Sequence, residues 1–281
     1  MNSVLNAAIP GSDSARRLLR VIDAGLESDD EATRHGSAAP HCGVLGAFRY
    51  ALGEPNGDTP TPWTLSPTMM YVLDGLNNCC WSSPDTRASG LRRLAIASLG
   101  TATKFDEAEF VQRALQLAIQ TSLPTALRAT AAAVNVMPNN NAQQLLDISN
   151  ACEHHPTREN LESALRATAD ASTQCLGRRS GDLAAIFDMN ITQKAASAAD
   201  YALTAASLAS TGDYLDTLAA MTTIAEAVEW ARAAVDHAAG NKCRSGPAGD
   251  AVLAAYAEGL VAILIDLKTP GAIARLDLTK S

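Results

Sequence analysis

From Gly212 to Ala239 the apolar residues Tyr214, Leu218, Met221, Ala225, Val228 and Val235 recur at steps of three, four or seven, the spacing of one face of an α-helix. Between Asp182 and Ala239 alanine dominates, the one glycine is Gly212, and there is no proline. Propensity and periodicity therefore predict two long helices that break at Gly212, with Asp213 in the first turn of the second, where a carboxylate complements the helix dipole. In the first of them Ala198, Ala202, Ala206 and Ala209 make a stripe too short to hold a neighbour away. A packing helix is expected to approach toward the low end of the usual ~8–10 Å separation.

A third helix should follow the Gly-rich linker from Gly240 to Gly249. It carries a small-residue stripe, Ala251, Ala255 and Gly259, beside an apolar one, Val252, Tyr256, Ile263 and Leu267. Being apolar nearly all round, it is expected at the centre. Its apolar run from Ala251 to Leu267 is about 17 residues, short of the roughly 20 a bilayer needs, and contains Glu258 and Asp266; no membrane span is expected.

Upstream, the same signals mark shorter helices. Leu18, Leu19, Val21, Ile22 and Leu26 line one side of a helix from about Asp13 to Glu27, and a second runs from about His41 to Leu52. Prolines at 55, 60, 62 and 67 with Gly57 then exclude helix and central strand, leaving a Pro-rich loop, 53–67, that Trp63 would anchor. Ser66-Pro67 and Ser83-Pro84 each read as an N-cap followed by proline at the first helical position. Further starts are expected at Asp106, Ser122-Pro124, Asn139 and Pro156. The reading is all-α: ten to eleven helices in antiparallel hairpins, forming a bundle or a short α-solenoid around the Ala-rich central helices. Two domains are drawn, an N-terminal lobe over 1–103 and an Ala-rich bundle over 104–281, unless the chain is one continuous domain.

Aromatics are 4% of the 281 residues, so the core must be built from aliphatic residues and alanine. A formal charge of −8 argues against a nucleic-acid surface, which needs clustered Lys and Arg. The six cysteines are scattered, and Met1 to Pro10 lacks the basic and apolar regions of a secretory signal, so a cytoplasmic location with free thiols is expected.

Candidate chemistry is sparse. Glu258 lies in the apolar helix and is the candidate catalytic carboxylate. Cys152, His154 and His155 are candidate metal ligands, since thiolate and imidazole suit zinc or copper, although His35, His41 and Cys42 would have to complete the set. Trp63 is the candidate interaction residue. Glu226 and Glu229, with Arg232 three residues on, read as a surface ion pair. There is no Gly-rich phosphate loop and no His-Glu-x-x-His, Gly-x-Ser-x-Gly or Glu-x-x-His pattern, and no cofactor is expected.

The residues Pro156-Thr157-Arg158-Glu159, opening a long Ala-rich helix, are similar to those in helical immunity-related proteins of bacteria and their phages. That resemblance implies a conflict, immunity or effector setting. The absence of catalytic motifs, the acidic surface and the small-residue helix seams make the leading expectation a non-enzymatic interaction protein whose partner is another protein or itself as a homo-oligomer, with neither nucleic acid nor membrane. The alternatives are a small-molecule or metal-binding helical enzyme with a pocket near Glu258 or Cys152/His154, and a self-assembling structural protein.

Overall fold

The structure, a computed structural model, describes residues 13–23, 43–52, 65–102, 105–134, 141–176, 183–241 and 245–272. Among these residues it is all-α, with eleven α-helices, one π-helical segment and no strand. The chain groups into two compact units, Met1–Val111 with Ala257–Ser281, and Gln112–Tyr256.

In the first unit, α1 (Asp13–Asp23), α2 (Val44–Leu52), α3 (Pro67–Asn78) and α4 (Pro84–Ala97) pack on one another. The two Ser-Pro starts form as expected. Ser66 Oγ accepts from Met69 N at 3.2 Å, and Ser83 with Thr86 closes a reciprocal capping box, satisfying donors that the first helical turn leaves without partners. Trp81, in the short connection between these helices, donates from Nε1 to Leu76 O at 2.8 Å and lies against Gly90, where a Cβ would overlap its ring. The chain's last described turn returns to α4: Gly271 N donates to Leu99 O at 2.9 Å and Thr269 Oγ1 to Ala97 O at 3.0 Å.

The second unit holds the remaining helices. The helix α5 (Glu107–Leu117), of which residues up to Val111 group with the first unit, runs through a π-helical segment (Ala118–Ser122) into α6 (Leu123–Val134). The expected new start at Ser122-Pro124 is therefore not a break. Pro124 removes one backbone donor and crowds the preceding turn, and the widened π turn just before it keeps the helix continuous. Next come α7 (Ala142–His154), α8 (Arg158–Leu176), α9 (Leu183–Ala209), α10 (Tyr214–Ala238) and the first part of α11 (Pro247–Asp266). Gly212 separates α9 from α10 with φ +74°, a conformation costly for any residue with a Cβ. Asp213 caps α10 by accepting from Leu215 N at 2.8 Å and Asp216 N at 3.3 Å.

α9 packs extensively on α10 and on α8. The seam on α9 is Ala195, Ala198, Ala199, Ala202 and Ala205, all buried, whereas Ala206 and Ala209 of the expected stripe are half-buried. On α10 the buried face runs through Met221, Ile224, Val228, Ala231 and Ala234; Tyr214 and Val235 fall outside it. The α11 helix is buried through Val252, Leu253, Tyr256, Leu260 and Leu264, but Ala251, Ala255 and Ala262 are exposed, so one edge is wet rather than the whole helix enclosed. It is long and apolar enough by composition to cross a membrane, and just over half of its most apolar stretch, 56%, is buried inside the protein.

Candidate functional site

The residues singled out in the sequence do not meet. Glu258 is half-exposed on α11 and pairs with Arg93 of α4, within the first unit, with no histidine or cysteine ligand set around it. Cys152 is buried at the end of α7, and burial pushes its thiol up to about 11, which keeps it protonated at neutral pH. His154 and His155 are exposed; His154 Nδ1 lies 2.8 Å from Asn150 O, and His155 leads into the turn before α8. Successive helical positions point in different directions, so Cys152 faces the core while its neighbours face solvent. Among the described residues no three His, Cys, Asp or Glu side chains gather as a metal site would require. Trp63, His35, His41 and Cys42 lie outside the described residues.

A charged cluster takes the place of the expected surface ion pair. Arg232 is buried, and its guanidinium donates to Glu229 Oε2 at 2.8 Å and Oε1 at 2.7 Å, and to Asp236 Oδ2 at 2.7 Å. Asp236, also buried, accepts in turn from Gly246 N at 3.1 Å and Gly249 N at 2.8 Å. The carboxylate on α10 therefore caps the start of α11 across the intervening linker, a helix N-terminus being where a negative charge is favoured. Each polar atom of this cluster is engaged by another part of it, so it reads as a structural latch. Glu226 takes no part in the latch and turns to Tyr201 of α9.

A hollow with polar groups on its walls lies in the second unit where α8, α9 and α10 meet. It has a volume of about 600 Å³ and is lined by Ala169 and Ser172 of α8, Asn190, Gln193, Lys194 and Ser197 of α9, and Trp230 of α10. Its existence follows from residue size. Ala169 and Ser172 are one turn apart, Asn190, Gln193, Lys194 and Ser197 share one helical face, and most of them are too short to fill the space between the helices. The volume is that of an ordinary small-ligand pocket, within roughly 300–1,000 Å³.

Trp230 and the Glu226 carboxylate both neighbour the Tyr201 hydroxyl, and Glu226 pushes that phenol above the usual tyrosine range. Lys194 Nζ stands over the Trp230 ring, 5.4 Å from its centroid, in cation–π contact. Lys194 forms no ion pair with a described residue, and Ser172, Asn190, Gln193 and Ser197 make no side-chain hydrogen bond to one. That is unusual for serines on helices here: Ser163 and Ser207 bond back to the carbonyl four residues earlier, Glu159 O and Leu203 O. The cleft thus presents one cation, two amides, two hydroxyls and an indole to whatever enters it. None of its described lining residues is a histidine, a cysteine or a carboxylate.

Sequence reasoning passed over this site, although Asn190, Gln193, Lys194 and Ser197 at steps of three, one and three form a polar face on an otherwise Ala-rich helix. Comparison with protein-family models, with curated proteins and with solved structures finds no match to the chain.

Proposed function

We propose that this is a non-enzymatic helical interaction protein that contacts its partner through the cleft around Trp230 and Lys194. The observation that carries the reading is the set of polar side chains in that cleft that make no hydrogen bond or ion pair to a described residue, beside the Trp230 indole with Lys194 over its ring. Polar groups on a protein surface usually settle on neighbours or water; converging on one hollow, they favour an incoming group that satisfies several at once. Tryptophan is enriched at the points that carry binding energy, because a rigid ring buries much area at little entropic cost.

The catalytic alternative has less support, because acyl transfer, hydrolysis and proton abstraction all need a nucleophile or a general base within hydrogen-bond reach of the substrate. The cleft holds two serine hydroxyls and a lysine, with no histidine or carboxylate among its described lining residues to activate them. Glu258 and Cys152, the residues an enzymatic reading would use, are engaged elsewhere, one by Arg93 and the other by the core.

The test is native mass spectrometry of the wild-type protein and of Trp230→Ala, each purified from its own host without chelator. The expected result is a bound mass, polypeptide or small molecule, on the wild type that Trp230→Ala lacks. Bare protein in both cases, or the same mass retained by Trp230→Ala, refutes the reading. The immunity or effector setting suggested by Pro156 to Glu159 belongs to the same proposal, and the identity of the bound mass decides it.

A further inference from the structure

We infer that the group the cleft receives is an oxyanion, a carboxylate or a phosphate monoester, carried on a small apolar body, with Lys194 as its counter-charge. The inference rests on the reading of the cleft as a binding site and adds the chemistry of what binds.

Charge comes first. In a chain with a formal charge of −8, the described residues that line this cleft include one ionised side chain, and it is a lysine. The lysine forms no ion pair with a described residue and rests instead on the indole face, a weaker attraction than a direct contact with an anion. A charge-assisted hydrogen bond to an oxyanion is roughly twice as strong as a neutral one.

Hydrogen-bond inventory points the same way. Lysine donates only, the amides of Asn190 and Gln193 each carry two donors, and the hydroxyls of Ser172 and Ser197 rotate to donate. An oxyanion accepts and cannot donate. A cationic ligand would meet the ammonium of Lys194 and no carboxylate among the described lining residues, which favours an anion. The methyl groups of Ala169 and Ala196 with the Trp230 ring supply the apolar wall, sized for a short carbon skeleton.

The three tryptophans give the protein three indole N–H signals, and Trp230→Phe assigns the one from the cleft. Titration with benzoate, phenyl phosphate and neutral benzamide, followed on that signal, separates the possibilities. The expected result is a saturable shift with benzoate or phenyl phosphate and none with benzamide, and an affinity for the anion about tenfold or more weaker in Lys194→Met. Whichever anion binds more tightly identifies the oxyanion. A shift with benzamide equal to that with benzoate, or an anion affinity unchanged in Lys194→Met, overturns the oxyanion assignment while leaving the binding reading intact. No shift with any of the three probes also overturns it, and the native masses of the wild type and Trp230→Ala report separately on the binding reading.

Discussion

Removing the Asp236 carboxylate by Asp236→Ala tests the latch between α10 and the start of α11. Asp236 is 2% exposed and accepts from Arg232 Nη1 and from the backbone N–H groups of Gly246 and Gly249. Truncation leaves those two buried donors without an acceptor, and leaves Arg232 with Glu229 as its remaining anionic partner. Breaking a buried ion pair typically costs about 3–5 kcal/mol; because Glu229 still holds the guanidinium, the lower end applies, about 3 kcal/mol. For a unit of this size that corresponds to a fall in melting temperature of about 6–12 °C. Thermal unfolding followed by circular dichroism measures it directly. The variant Asp236→Asn removes the charge but keeps an amide oxygen to accept from Gly246 and Gly249 N–H, so it should lose less than Asp236→Ala. A drop below about 2 °C for Asp236→Ala, or an Asp236→Asn variant less stable than Asp236→Ala, refutes the reasoning.

Four further outcomes follow from other sites. Gly90→Ala places a Cβ in overlap with the Trp81 ring and should displace that side chain, lowering stability by about 1–3 kcal/mol, read as a shift in the Trp81 fluorescence maximum and in the melting temperature. Cys152, whose thiol is raised from 9.0 to about 11 by burial, should resist iodoacetamide at pH 8 while exposed Cys80 is alkylated; equal labelling of the two contradicts the burial. The same shift makes folding stability from Cys152 fully present below pH 9 and lost as pH rises toward 11, because only the unfolded chain can release that proton there; a Cys152→Ala variant should lack this component of the alkaline loss. Glu258→Gln breaks a half-exposed pair with Arg93 and should change stability by less than about 1 kcal/mol in chemical denaturation, with no change in the mass bound by the native protein.

Much of the local structure was legible in the chain. Ser66-Pro67, Ser83-Pro84 and Gly212-Asp213 mark helix boundaries because capping and left-handed turns depend on residues within three or four positions, information that lies entirely in the local sequence. The Ala-rich composition of α9 and α10 likewise determined that these helices pack on neighbours through small side chains. The π segment before Pro124 was not legible as such, because a proline that breaks a helix and one that widens it carry the same local signal.

What only the tertiary structure decided is which residues converge. Asp236 and Gly249 are separated by a linker, and nothing in either one's neighbourhood announces that one caps the other's helix. Arg232 read as a surface partner of Glu229 because helical spacing gives the pair but not its burial. The cleft is the plainest case: Ser172, Lys194 and Trp230 lie on three helices, and the hollow between them depends on how those helices cross, a property of packing that no single stretch of sequence encodes. Periodicity determines which face of a helix is polar or apolar, whereas the partner that meets that face is selected by the sum of all contacts in the folded chain.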